Sequence, residues 1–227
     1  QKWPESKYIA YFQSYSNTYA PAALLRQKYE EALTCPDVAG LAIATRPDCL
    51  PAEVMEVLKE FNQRTYLWVE LGLQTVNDST ALLINRHYPL KVFDEAMDKL
   101  HDAGIRSVVH LIFGLPGESH PDMKASVHHV ASKKPFGMKF HQLYIMEGTK
   151  IAEYYPGRLH VLEKNEYMGL VVDSIEVLPP EITIHRVTGD PPAEGLVAPR
   201  WCLDKRSVLN GIQIEFKRRG SFQGSRL

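Results

Sequence analysis

The chain has 227 residues, 44% of them hydrophobic and 23% charged, and a formal net charge of −1 at pH 7. That length makes one large domain, or one with a small appendage, and it supplies enough apolar residues for a sizeable core. No apolar run approaches the roughly 18 residues of a membrane span, and the opening QKWPESKY has no signal-peptide pattern, so a cytoplasmic protein with no membrane partner is expected.

In chain order, YIAYFQSY (8–15) reads as a first strand and PAALLRQKYEEAL (21–33) as a helix opened by proline, where the missing N–H costs nothing. VAGLAIAT (38–45) and YLWVELGLQ (66–74) read as strands apolar on both faces, separated by a second Pro-led helix, PAEVMEVLKEFNQ (51–63). DSTALLINR (78–86) opens on an N-capping Asp or Ser, and PLKVFDEAMDKLHDAG (89–104) carries proline at its start and glycine at its stop. RSVVHLIFG (106–114), GMKFHQLYI (137–145) and ITIHRV (182–187) complete the strands, with helices at HPDMKASVHHVASK (120–133) and KNEYMGLVVDSIEVL (164–178). Strand starts spaced by about 30 to 45 residues predict repeated βα units and a parallel sheet, either closed into a full or partial barrel or doubly wound. In both cases the chemistry belongs at the carboxyl ends of the strands.

The tail from residue 191 reads as a separate appendage, giving domains 1–190 and 191–227. From Arg200 to Leu227 it holds seven Lys/Arg against two acids. That charge is either a solvated terminal helix or a phosphate-contacting surface. The three cysteines, Cys35, Cys49 and Cys202, form no CxxC or CxxxC pair. Neither a disulfide framework nor a cysteine zinc site is expected.

At the strand ends stand a polar run including Ser16, Asn17 and Thr18, then Arg46, held out of the helical region by Pro47. Glu70 and Gln74 follow, four apart on one strand and hence on one face. A buried acid needs a partner, so Glu70 is expected to find a cation or hydrogen-bond donors. His110 and Ile112 alternate along the next strand before the tight turn Gly114 to Glu118, and Tyr144-Ile145 close the fifth. His110, His141 and His185 raise the alternative of a metal-dependent barrel hydrolase.

Four segments, GLAIATRPD (40–48), VELGLQT (69–75), INRHY (84–88) and HLIFGLPGES (110–119), occur in an order and spacing that resembles radical S-adenosylmethionine enzymes. The resemblance is strongest to the branch holding the elongator catalytic subunit and oxygen-independent coproporphyrinogen oxidase. Within it a bacterial family of uncharacterised radical SAM proteins also shares HRVTGD (185–190) and APRWC (198–202). The resemblance implies an α/β fold, a partial parallel (βα)6 TIM-like barrel with a C-terminal extension. It also implies a cofactor pair, S-adenosyl-L-methionine and a [4Fe–4S] cluster. Members ligate that cluster through a CxxxCxxC signature that this chain lacks. Those ligands, with the first strand, are expected upstream of Gln1, and the piece as given is expected to be inactive without them.

By position in these motifs, Gln74 is implied to hydrogen-bond the ribose and Arg86 to pair with the methionine carboxylate. Ser16, Asn17 and Thr18 fall where the methionine amine binds. His110 falls where a ribose-contacting acid often sits, and Ile112, Gly114, Tyr144 and Ile145 match adenine contacts. Arg46 and Glu70 are expected to face the same cavity. The implied activity is reductive cleavage of S-adenosylmethionine to a 5′-deoxyadenosyl radical that abstracts hydrogen from a substrate, with tRNA as the expected substrate. A one-electron donor such as flavodoxin or ferredoxin is the expected partner. The alternative of another class is a non-catalytic barrel that binds a nucleoside or a partner protein.

Overall fold

The computed structural model describes residues 6–154 and 159–227. The strands are β1 (Tyr8–Phe12), β2 (Val38–Thr45), β3 (Tyr66–Gln74), β4 (Arg106–Phe113), β5 (Gly137–Gln142), β6 (Ile145–Met146), β7 (Thr183–Arg186) and β8 (Leu196–Ala198). The helices are α1 (Ala22–Leu33), α2 (Ala52–Arg64), α3 (Asp78–Leu83), α4 (Leu90–Asp102), α5 (His120–Ser132), α6 (Lys150–Tyr154), α7 (Lys164–Glu176) and α8 (Lys205–Arg219). Six strands form one sheet in the hydrogen-bonded order β1-β2-β3-β4-β5-β7. Strand following helix following strand is the expected α/β pattern, and the sheet is parallel. β6 and β8 make a separate antiparallel pair.

The chain divides into two compact units, residues 1–73 with 91–109, and 74–90 with 110–227. In the first, β2 is buried from Gly40 onward, and Leu67, Val69 and Leu71 of β3 are fully buried. α1 and α2 seal this layer with Tyr29 and Phe61, whose rings meet edge to face at 5.6 Å between centroids. β2 and β3 pair closely, because a methyl on Gly40 would stand 2.2 Å from the Tyr66 carbonyl oxygen. Only glycine lets the two backbones approach so near at that point.

In the second unit the core is Phe113, Phe140 and Tyr167, with Met123 and Val127 of α5 beneath them. Strand five is shorter than its sequence predicts. Leu143 N–H donates to the Phe113 carbonyl at 2.8 Å, the chain then leaves the parallel sheet, and Ile145 pairs with Ala198 of β8. The predicted N-cap of α3 also moves by one residue. Asn77, not Asp78 or Ser79, accepts from Ser79 N at 3.0 Å and Thr80 N at 3.4 Å. Asp78 instead accepts from Leu90 N and from Arg86.

The basic tail packs within the second unit. Asp204 caps α8, accepting from Ser207 N. Arg219 lies on Asp173 at 2.6 Å and on the fully buried carboxylate of Glu176 at 3.1 Å, and Arg226 reaches Glu176 at 3.0 Å. Arg218 pairs with Glu215 and Lys205 with Asp190. Arg218 and Arg219 hold the Glu215 carboxyl down at about 2. Four of the seven tail cations are therefore neutralised by acids. Of the two readings of the tail, the phosphate-contacting one is left with Arg200, Arg206 and Lys217 as cations without an acidic partner among the described residues. Among the described residues no helix is long and apolar enough to cross a membrane.

Candidate functional site

In the first unit the loop after β1 is braced by its own side chains. Asn17 Nδ2 donates to the carbonyls of Phe12 at 3.0 Å and Ala44 at 2.9 Å. Buried Thr18 lies 2.5 Å from Thr45 Oγ1 and donates to the Cys49 carbonyl at 2.6 Å, while the Tyr29 hydroxyl donates to the Asn17 carbonyl. These groups fix the run Ser16 to Thr18 as a braced edge whose Ser16 and Asn17 carbonyls are already hydrogen-bonded, to Tyr19 N–H and the Tyr29 hydroxyl. Arg46 forks Asp48 through two bonds of 2.9 and 2.7 Å, which holds the Asp48 carboxyl below its usual range. Glu70, 1% exposed, has the hydrogen-bond donors that burial demands: Tyr11 Oη at 2.7 Å and Trp68 Nε1 at 2.9 Å.

In the second unit the end of β3 is built around Arg86, itself 5% exposed. Its Nε donates to the Tyr88 carbonyl at 3.0 Å, Nη1 to the Thr75 carbonyl, and Nη2 to Asp78 at 3.0 Å. The guanidinium carbon sits 4.7 Å from the centroid of the Tyr88 ring. Arg86 is thus a staple across residues 75–88, with its fork facing backbone carbonyls. The Tyr88 hydroxyl is 3.5 Å from Gln74 Oε1, a long contact that orients the amide without consuming it. Gln74 has φ +66°, a left-handed conformation that costs a non-glycine residue about 1 kcal/mol or more. The strand ends there because of that turn, and the half-exposed carboxamide is set at its mouth.

Two residues that the sequence did not single out tie the neighbouring turns together. Thr75, fully buried, donates to Glu118 of the Gly114–Glu118 turn and accepts from Asn77 N at 2.9 Å. Burial raises the Glu118 carboxyl above its ordinary 4.5, with the Thr75 bond opposing. The folded state therefore protonates Glu118 before the unfolded state does, and its charge is a cost above the folded pKa that fades as pH falls toward 4.5. Glu118→Gln keeps the acceptor for Thr75 and is expected to stabilise the protein at pH 7 and much less at pH 4. Urea midpoints at both pH values check this, and an equal gain at both would contradict it.

On β4 His110 and Ile112 are half-buried on one face while Leu111 and Phe113 are buried on the other. The His110 ring stacks on His141 at 5.7 Å and 19°. Gly114, at φ +86°, is buried: its N–H donates to Met123 Sδ at 3.2 Å, and a methyl there would stand 3.0 Å from Leu162. β5 ends on Gln142, 2% exposed, whose Oε1 accepts from Gly189 N at 2.7 Å and Thr188 Oγ1 at 3.2 Å. Its Nε2 makes no hydrogen bond among the described residues. This explains the VTGD sequence: Gly189 is needed because a side chain there would crowd Gln142 and Tyr144. Tyr144 is half-buried and Ile145 fully buried in the turn to β6.

The half-exposed Gln74 carboxamide and the half-exposed strand face of His110 and Ile112 suit the hydroxyls and flat base of an adenosine. They fit S-adenosylmethionine in chemical type. An iron–sulfur cluster does not fit the described residues. Cys35 is exposed, Cys49 and Cys202 are buried, and no group of three His, Cys, Asp or Glu side chains could hold a metal. The strand histidines form no ligand set either: His185 Nε2 is 2.9 Å from Thr183 Oγ1.

The sequence model of the radical SAM superfamily matches residues 2–130, and that of the radical SAM C-terminal domain matches residues 135–218. The chain belongs to the radical SAM superfamily. It is 47% identical over 225 residues to "Uncharacterized protein YtqA" of Bacillus subtilis, covering 99% of this chain and 70% of that protein. It is 31% identical to the tRNA uridine(34) acetyltransferase of Dehalococcoides mccartyi over 72% of this chain and 37% of that one. Among solved structures it resembles the archaeal Methanocaldococcus infernus Elp3 with an N-terminal deletion, at a TM-score of 0.73 and 20% identity. That match covers 88% of this chain and 46% of the Elp3 chain, and it establishes the TIM-like radical SAM fold. As a radical SAM protein, this chain is an enzyme of a class that uses S-adenosylmethionine with a [4Fe–4S] cluster.

Proposed function

We propose that this chain carries the adenosine-holding part of a radical SAM enzyme that acts on a tRNA base. The observation that carries the reading is the Gln74 carboxamide, set at the end of β3 by Tyr88 and, through the Tyr88 carbonyl and ring, by Arg86. Gln74 would donate to or accept from a ribose hydroxyl. Ile112 and Tyr144, both half-buried, would supply apolar surface to the adenine beside the half-buried His110 ring, while Gly114 and the fully buried Ile145 would act only by shaping the turns behind them. Arg46 would act by holding the turn at Asp48, and Glu70 by tying Tyr11 of β1 and Trp68 of β3 together. Bound S-adenosylmethionine, given one electron, would supply a 5′-deoxyadenosyl radical by cleavage of its C5′–S bond, with methionine as the other product. The chain's own part is to orient the nucleoside and keep water from it.

The choice of tRNA is supported by relatives whose names specify tRNA uridine(34). A small-molecule substrate is the second reading, favoured by the ion pairing that neutralises four of the tail's cations. The test is made on the full-length protein, reduced without oxygen in the presence of S-adenosylmethionine, with and without unfractionated tRNA. 5′-Deoxyadenosine is expected, and more of it with tRNA. Formation indifferent to tRNA would remove the tRNA assignment, and no formation in either condition would remove the radical chemistry.

A further inference from the structure

A crevice of about 450 Å3 lies in the second unit between residues 159–163 and 198–201. Its lining combines His160, Val161 and Leu162 on one side with Pro199, Arg200 and Trp201 on the other. The indole of Trp201 is held in place twice. Its Nε1 donates to the Leu162 carbonyl at 3.0 Å, and its ring packs on Tyr167 at 5.4 Å between centroids. Arg200 is exposed, and its one hydrogen bond among the described residues is to the Leu196 carbonyl at 3.3 Å, so most of its fork is open to a ligand there. His160 is also exposed, 3.5 Å from Glu166. Glu163 lines the crevice too, but its carboxylate accepts from the amino end of α7 as a capping box, where the helix dipole offsets its charge. The back wall is continuous with the strand-end site, because the Leu162 side chain packs on Gly114.

A fixed aromatic face, a forked cation beside it and apolar walls of this size form a site for a base and its phosphate. We propose that this crevice binds one nucleotide of a single-stranded RNA segment, its base against Trp201 and its phosphate on Arg200. The inference rests on the RNA reading above and deepens it. It also revises how the tail takes part: the Arg200–Trp201 turn does the binding, while the α8 cations are largely occupied by acids.

The test uses the full-length protein and a fluorescein-labelled decauridylate, with affinity measured from 50 to 200 mM salt. Arg200→Gln is expected to weaken binding about fivefold and to lower the slope of log affinity against log salt by about 0.7, the value for one single-strand phosphate contact. Lys217→Gln removes the same charge from α8 and is expected to bind like the unaltered protein. With 5-iodouridine in the decamer, light-induced cross-links should fall on the tryptic peptide Trp201–Lys205. Arg200→Gln is surface-exposed, and an unchanged melting temperature confirms its fold. If the unaltered protein binds the decamer but Arg200→Gln matches it and cross-links fall elsewhere, the subsite is overturned and the RNA reading stands. If the unaltered protein binds no decamer at 50 mM salt, both fall.

Discussion

Replacing Arg86 by methionine is expected to lower the unfolding free energy by about 3 kcal/mol, since it strands buried acceptors and unpairs a buried staple. The fork serves the Thr75 and Tyr88 carbonyls at once, and the Tyr88 ring rests against it. Asp78 is more than half exposed, so water can solvate it after the change, and the two carbonyls carry most of the cost. Lysine cannot span three acceptors with one ammonium, so Arg86→Lys is expected to recover less than half the loss. Urea unfolding of the three proteins measures this. An Arg86 whose only task was to meet a ligand carboxylate would leave stability unchanged on replacement.

Gln74→Leu is expected to do the reverse. The side chain is half-exposed and its one side-chain bond among the described residues, to Tyr88, is long, so stability should change by no more than about 0.5 kcal/mol. Affinity for S-adenosylmethionine should fall about tenfold, the equivalent of roughly 1.4 kcal/mol for a ribose hydrogen bond lost. The left-handed backbone at Gln74 supports this assignment. A glycine would adopt that conformation at lower cost, and strain of this kind persists where a side chain is wanted. Arg86→Met should weaken binding as well, but only by loosening Tyr88 and with it Gln74. The pair of variants separates a residue that touches the ligand from one that positions it.

The parts of the fold legible in the sequence are those where burial leaves a long pattern. β2 and β3 coincide with the apolar runs 38–45 and 66–74, because both faces of a sandwiched strand must be apolar. β6 and β8 were not legible, since two or three residues carry no period, and their pairing depends on contacts fifty residues apart. The need of Glu70 for a partner followed from its buried strand position. That the partners are Tyr11 and Trp68 did not, because Tyr11 lies 59 residues away. The tail illustrates the same limit for charge. Composition counts cations, but whether Arg219 meets water or Asp173 is decided by how α8 lies on α7. The site motifs single out Gln74 and Arg86, yet only the structure shows that the arginine faces the carbonyls of its own segment. Thr75, Glu118 and Gln142 escaped notice because a threonine, a turn glutamate and a strand glutamine look ordinary until burial makes their partners obligatory.

The central claim is that the amide at the end of β3 reads the ribose of S-adenosylmethionine. Equilibrium dialysis of labelled S-adenosylmethionine against the full-length protein and Gln74→Leu, matched for melting temperature, tests it most directly. A tenfold weaker variant with an unchanged fold is the predicted result. Equal affinities for the two proteins would contradict it.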